Sequence, residues 1–128
     1  MSEVGAEQIR PAATVILWRK GAAGGEILMG QRGAGAVFMP SKYVFPGGAV
    51  DAEDRIGAPV SLTETCRAGL LACCDAGTPD PDTLARAALR EVHEETGLRP
   101  AAGAGMRFVF RAITPPGRSR RFDARFFL

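Results

Sequence analysis

With 128 residues, 46% of them hydrophobic, the chain is long enough for one domain with a buried core. Its 16 basic and 14 acidic side chains nearly balance, which argues against broad affinity for a nucleic acid polymer. The polar start lacks the apolar stretch of a signal peptide and no apolar run approaches a membrane span, so a cytoplasmic protein without a membrane partner is expected.

Residues 1–10 read as a loose N-terminal arm. Ala13 to Arg19 is rich in β-formers and bounded by Pro11 and the turn Gly21-Ala22-Ala23-Gly24-Gly25. Glu26 to Arg32 follows at hairpin distance, so two paired strands are predicted. A flexible loop over Gly33–Ala36 leads to apolar anchors at Phe38-Met39-Pro40 and Tyr43-Val44-Phe45, and Pro46-Gly47-Gly48 reads as a turn whose backbone can approach a ligand. Ser61 and Glu64 have capping-box spacing ahead of a helix over Thr65–Asp75, stopped by Gly77-Thr78-Pro79. Cys66, Cys73 and Cys74 fall on or beside this segment. They are odd in number and lack zinc spacing, so they read as reduced thiols on a mostly buried helix.

A second helix opens at Asp80-Pro81, a good N-cap followed by a good first residue, and runs to Thr96. Positions 85, 88, 89 and 92 form its packing face and leave the glutamates looking outward. Gly97 is a natural stop. After a loop, Arg107–Ile113 alternates as a strand, Thr114–Arg121 is a basic loop, and Phe122–Leu128 reads as another strand. Because the chain stops inside an apolar strand, the natural domain is expected to continue past Leu128.

The chemistry concentrates in Arg90-Glu91-Val92-His93-Glu94-Glu95-Thr96-Gly97-Leu98. At about 100° per residue, Glu94 lies roughly 60° to one side of Glu91 and Glu95 roughly 40° to the other. Like charges so placed each cost about 0.2–0.5 kcal/mol, and the negative end of the helix dipole adds about 0.3–1 kcal/mol per charge. Such a face is either a solvated acidic helix end or a site for a hard divalent cation, which would reverse both penalties. Three acids together, flanked by Arg90 and a stop glycine, favour the cation.

The same stretch resembles the second half of the Nudix hydrolase box, G-x5-E-x7-R-E-U-x-E-E-x-G-U with U aliphatic. Arg90, Glu91, Val92, Glu94, Glu95, Gly97 and Leu98 all match. Counting back from Arg90 puts Asp82 at the first Glu, while Ala76 stands where the glycine belongs. The usual lead-in, Phe45-Pro46-Gly47-Gly48, lies far upstream. Thirty-three residues separate Gly48 from Asp82 where the pattern allows five, so residues 49–81 read as an insertion within the box that forms its own helix.

An interrupted box resembles the peroxisomal coenzyme A diphosphatase branch of the family and its bacterial relatives. That branch's signature, L-L-T-x-R-S-x3-R-x3-G-x3-F-P-G-G, aligns from Leu28; Leu28, Arg32 and Phe45–Gly48 match, whereas Gly30, Gly33, Val37 and Ser41 do not. The resemblance implies an α/β (α+β) fold, the Nudix αβα sandwich around a mixed sheet. It implies hydrolysis of a diphosphate linkage in a small-molecule nucleoside diphosphate derivative such as coenzyme A or acyl-coenzyme A. ADP-ribose, a nucleotide sugar, or non-catalytic nucleotide binding are the alternatives. Mg²⁺ or Mn²⁺ would sit on Glu91, Glu94, Glu95 and the Gly48 carbonyl, with Glu94 the firmest ligand. Arg90 would orient the glutamates, Arg32 would meet a substrate phosphate, and Gly47 and Gly48 would let backbone approach. His93 falls at a variable position. Arg118, Arg120 and Arg121 could steer anions, and a homodimer is left open.

Overall fold

The computed structural model describes residues 9–31, 43–72, 78–99, 106–114 and 121–128, without the side chains of Gln31 and Arg121. In chain order the elements are β1 (Ile9–Val15), β2 (Leu17–Gly21), β3 (Gly24–Leu28), β4 (Gly30–Gln31), β5 (Tyr43–Val44), β6 (Gly47–Ala49), α1 (Glu64–Ala72), α2 (Pro81–Thr96), β7 (Phe108–Ile113) and β8 (Arg121–Phe127). A 3₁₀ helix, Ala52–Arg55, lies between β6 and α1. The central sheet runs β6-β1-β8-β7 and is mixed, because β1 and β8 are parallel while the outer pairs are antiparallel. The mixed α/β architecture expected from the sequence is therefore present.

The first strand begins at Ile9 rather than Ala13. Seven residues, from Ile9 opposite Arg121 to Val15 opposite Phe127, pair with β8, so Ile9 and Arg10 belong to the sheet and not to a loose arm. Pro11 is tolerated because it lies one residue beyond the β6 register; its carbonyl still accepts the Val50 N–H at 2.9 Å. The chain leaves the sheet at Ile16, and β2 and β3 form the expected hairpin, closed by Ala22-Ala23. The strand expected to reach Arg32 stops at Leu28, and Gly30–Gln31 pairs instead with Tyr43–Val44.

Both helices share one core with the sheet. Ala13, Val15 and Phe127 point from the strands toward Leu70 of α1 and Leu84, Ala88 and Val92 of α2. Phe110 and Phe126 stack on the opposite face, centroids 4.4 Å apart. The cap of α1 is Thr63, whose hydroxyl accepts the Cys66 N–H at 3.1 Å, rather than Ser61. Cys66 is a buried free thiol; Cys73 and Cys74 lie outside the described residues. The ends of α2 follow the local chemistry. Asp80 accepts the Thr83 N–H at 2.7 Å, and Gly97 adopts φ 78° with its N–H on the His93 carbonyl. Among the described residues no helix is long and apolar enough to cross a membrane.

Candidate active site

Alanines set the distance between helix and sheet. Ala13, Ala85 and Ala88 are fully buried, and α2 packs on β1 and β6 with its last turns over the two glycines. At this separation Glu91 is turned inward, its side chain only 13% exposed, although the sequence pattern had all the glutamates looking outward. A Cβ on Gly48 would collide with the Glu91 carboxylate, and one on Gly47 would lie 2.6–2.8 Å from Thr14 and the Ala13 carbonyl. Neither glycine has positive φ, and both lie in β6. The Pro-Gly-Gly segment is thus strand rather than turn, and its glycines provide clearance. Gly48→Ala should push the Glu91 carboxylate aside and return its titration toward the ordinary glutamate value. Carbon-13 NMR of the side-chain carboxyls checks this.

The buried carboxylate is electrostatically unusual. Burial raises the Glu91 pKa, Arg90 opposes, and the charges of Glu95 and Glu94 with a hydrogen bond to Glu95 add to the rise, which brings it to about 7. Glu95 is itself held by the Gly47 N–H at 3.3 Å. Glu94 is turned toward Arg90, with Oε1 3.1 Å from Nη1, and is half exposed.

Arg90 connects these groups to the rest of the molecule. Its Nε and Nη2 each donate at 2.9 Å to the two oxygens of Asp54, a carboxylate only 4% exposed. Nη1 reaches Glu91 at 3.2 Å as well as Glu94, and Nη2 also donates to the Ala49 carbonyl at 3.1 Å. Burial alone would raise the Asp54 carboxyl, but the Arg90 hydrogen bond, the Asp51 N–H and the nearby guanidiniums hold it below its ordinary value. Arg90 therefore bonds two of the glutamates and is itself fixed by Asp54, which no sequence signal near Arg90 marks.

Asp82 does different work. It takes both Nη groups of Arg67, at 3.1 and 3.3 Å, and the Val60 N–H at 3.0 Å, which ties α1 and the chain before it to the start of α2.

The backbone donors also sort themselves. Val15 N–H bonds the Pro46 carbonyl and Val50 N–H the Pro11 carbonyl. Antiparallel alternation then turns the N–H and carbonyl of Gly48 into the sheet toward Ala13, and those of Gly47 away from it, beside Glu95. Among the described residues, no three His, Cys, Asp or Glu side chains already stand as a metal cage. The donor chemistry nonetheless fits a hard divalent cation. Carboxylate oxygens crowd against a strand kept bare of side chains, and burial together with the neighbouring acids pushes the Glu91 pKa up to about 7 despite Arg90. Arg32, Arg118 and Arg120 lie outside the described residues, as does the side chain of Arg121.

No protein-family model matches the chain. Among solved structures, it is similar to the crystal structure of a NUDIX hydrolase from Alicyclobacillus acidocaldarius, with a TM-score of 0.70 and 28% identity over 95% of this chain and 69% of that one. The fold matches that of a Nudix hydrolase. The structure gives Arg90 to Asp54, while Asp82, the acid reached by counting back from Arg90, is bonded to Arg67. Gly48-x5-Asp54 has the ordinary spacing, and Asp54 is the carboxylate that grips Arg90. Counted from Asp54, 35 residues precede Arg90 where the Nudix pattern has seven. Counting forward from Gly48 was the signal that would have found Asp54.

Proposed function

We propose that the chain is a metal-dependent Nudix hydrolase that cleaves a diphosphate linkage in a nucleoside diphosphate derivative. The observation that carries this reading is Glu91 and Glu95 paired over bare glycine backbone, with Arg90 anchored beneath them by Asp54. Mg²⁺ or Mn²⁺ would be held by Glu91, Glu94 and Glu95, with the outward carbonyl of Gly47 in place of that of Gly48. When bound, it would supply positive charge at the diphosphate and acidify water for attack. The chain's own residues do the preparation. Gly47 N–H fixes Glu95, Arg90 holds Glu91 and Glu94 in register, and Gly48 leaves the space into which Glu91 turns. Without a cation Glu91 is pushed up to about 7, and a bound cation would hold it ionised.

Coenzyme A or an acyl-coenzyme A is the proposed substrate class, supported by Leu28, Arg32 and the Phe45–Gly48 match to the branch signature. Phosphate-release assays with Mg²⁺ or Mn²⁺ on coenzyme A, acyl-coenzyme A, ADP-ribose and nucleotide sugars test the reading. Preference for either of the last two would move the substrate assignment. No turnover on any would leave a nucleotide-binding module. Glu94→Gln should lower kcat by about 10²–10³-fold and leave the melting temperature within a few degrees of wild type. Near-normal turnover in that variant would remove Glu94 from the site.

A further inference from the structure

Asp54 sits on a short 3₁₀ helix. The helix has four residues, and its internal support is the Asp54 N–H on the Asp51 carbonyl at 3.0 Å, the Asp51 N–H on Asp54 Oδ2 at 2.8 Å and the Ile56 N–H on the Glu53 carbonyl at 3.3 Å. A second arginine of α2 reinforces it. One turn before Arg90, Arg86 donates through Nε to the Asp54 carbonyl and through Nη1 to the Ala58 carbonyl, both at 2.8 Å. The chain folds closely around that side chain. Gly57 sits at φ +150°, and a Cβ there would come within 3.1 Å of Arg86 Cδ. Arg86 and Arg90, at i and i+4, thus hold the main chain and the side chain of one residue, Asp54.

We infer that Arg86 is a positioning residue, acting through Asp54 and Arg90 to set where Glu91 and Glu94 stand. The inference rests on the reading of those glutamates as the working groups of the site. It separates Arg86 from Arg67, which also ties the interruption to α2 but does so through Asp82 and the Val60 carbonyl, with no bond to Asp54.

The test uses the full chain and three variants: Arg86→Ala, Arg86→Lys and Arg67→Ala. The first readout, made without metal, is hydrogen exchange of the Arg90 Nε–H by nitrogen-15 NMR. Arg86→Ala should speed it about tenfold, as the Asp54 turn opens more often, while Arg67→Ala leaves it at the wild-type rate. The second readout is calorimetric titration with Mn²⁺. Arg86→Ala should weaken binding about 10–100-fold, as expected for loss of a support behind a ligand, and Arg86→Lys, which can still reach one carbonyl, should recover part of it. Equal effects of Arg86→Ala and Arg67→Ala on both readouts, in proportion to melting temperature, would overturn the inference. If Arg86→Ala does not fold, Arg86→Lys decides, and wild-type exchange and Mn²⁺ binding in that variant count against it. Should the wild type neither bind Mn²⁺ nor cleave any diphosphate, the reading of the site fails instead, and the exchange rates still report whether Arg86 steadies Arg90.

Discussion

Asp54→Ala should destabilise the chain by about 3 kcal/mol, far more than the loss of any exposed ion pair. Asp54 is 4% exposed and the Arg90 side chain 14%, and two hydrogen bonds of 2.9 Å join them. Removing one partner of a buried pair costs about 3–5 kcal/mol, because the other charge is left desolvated. Arg90 would keep Glu91, Glu94 and, at 3.5 Å, Asp51, which places the effect at the low end. The comparison is Arg19–Glu26, as short at 2.7 Å but with side chains 81% and 53% exposed. Glu26→Gln should cost no more than about 1 kcal/mol. Urea unfolding of both variants separates the cases, and similar midpoints would mean that Arg90 finds other partners at no cost. The sign with pH is also set. The Asp54 carboxyl is held below its ordinary value, so its contribution is complete above about pH 4 and fades as pH falls through the lowered value.

Helix ends were legible because their chemistry is local. Asp80, Pro81 and Gly97 act on backbone groups within a turn of themselves, so α2 could be bounded to the residue. The site was legible only where it lies within one helix. Seven matched positions named Arg90 and the three glutamates, but the partner that fixes Arg90 lies 36 residues earlier. Counting back from Arg90 and forward from Gly48 gives two acids, Asp82 and Asp54, and local pattern cannot choose between them. The fold pairs Asp82 with Arg67 and Asp54 with Arg90. Long-range pairing likewise hid Ile9 and Arg10. Nothing near them signals a strand, and their order comes from β8, more than a hundred residues away. The glycines of β6 escape local pattern for a related reason. Gly-Gly in sequence suggests backbone freedom, whereas Gly47 and Gly48 are glycine because Thr14 and Glu91 occupy the space a side chain would need.

Glu91→Gln should abolish most turnover and yet stabilise the metal-free protein at high pH. The Glu91 carboxyl rises from its ordinary 4.5 to about 7 on folding, so between these values the native chain binds more protons than the unfolded one. Stability therefore falls as pH rises from about 4.5 to 7, and the penalty is complete above that. At 1.36 kcal/mol per unit it amounts to about 3 kcal/mol. Glutamine cannot ionise and escapes it. With a chelator at pH 8, the variant should unfold at higher denaturant than wild type, and the two should converge toward pH 4.5. Adding Mg²⁺ should reverse their order, since a cation that binds native carboxylates stabilises wild type by mass action and has less to hold in the variant. Hydrolysis should drop by about 10²–10³-fold in the same variant. Superimposed pH–stability profiles with and without the substitution would mean that Glu91 is an ordinary surface acid. The pairing of gained stability with lost activity is the signature of a group kept in an unfavourable place for its work. A carboxylate that served only the fold would show neither the gain at pH 8 nor the reversal with magnesium.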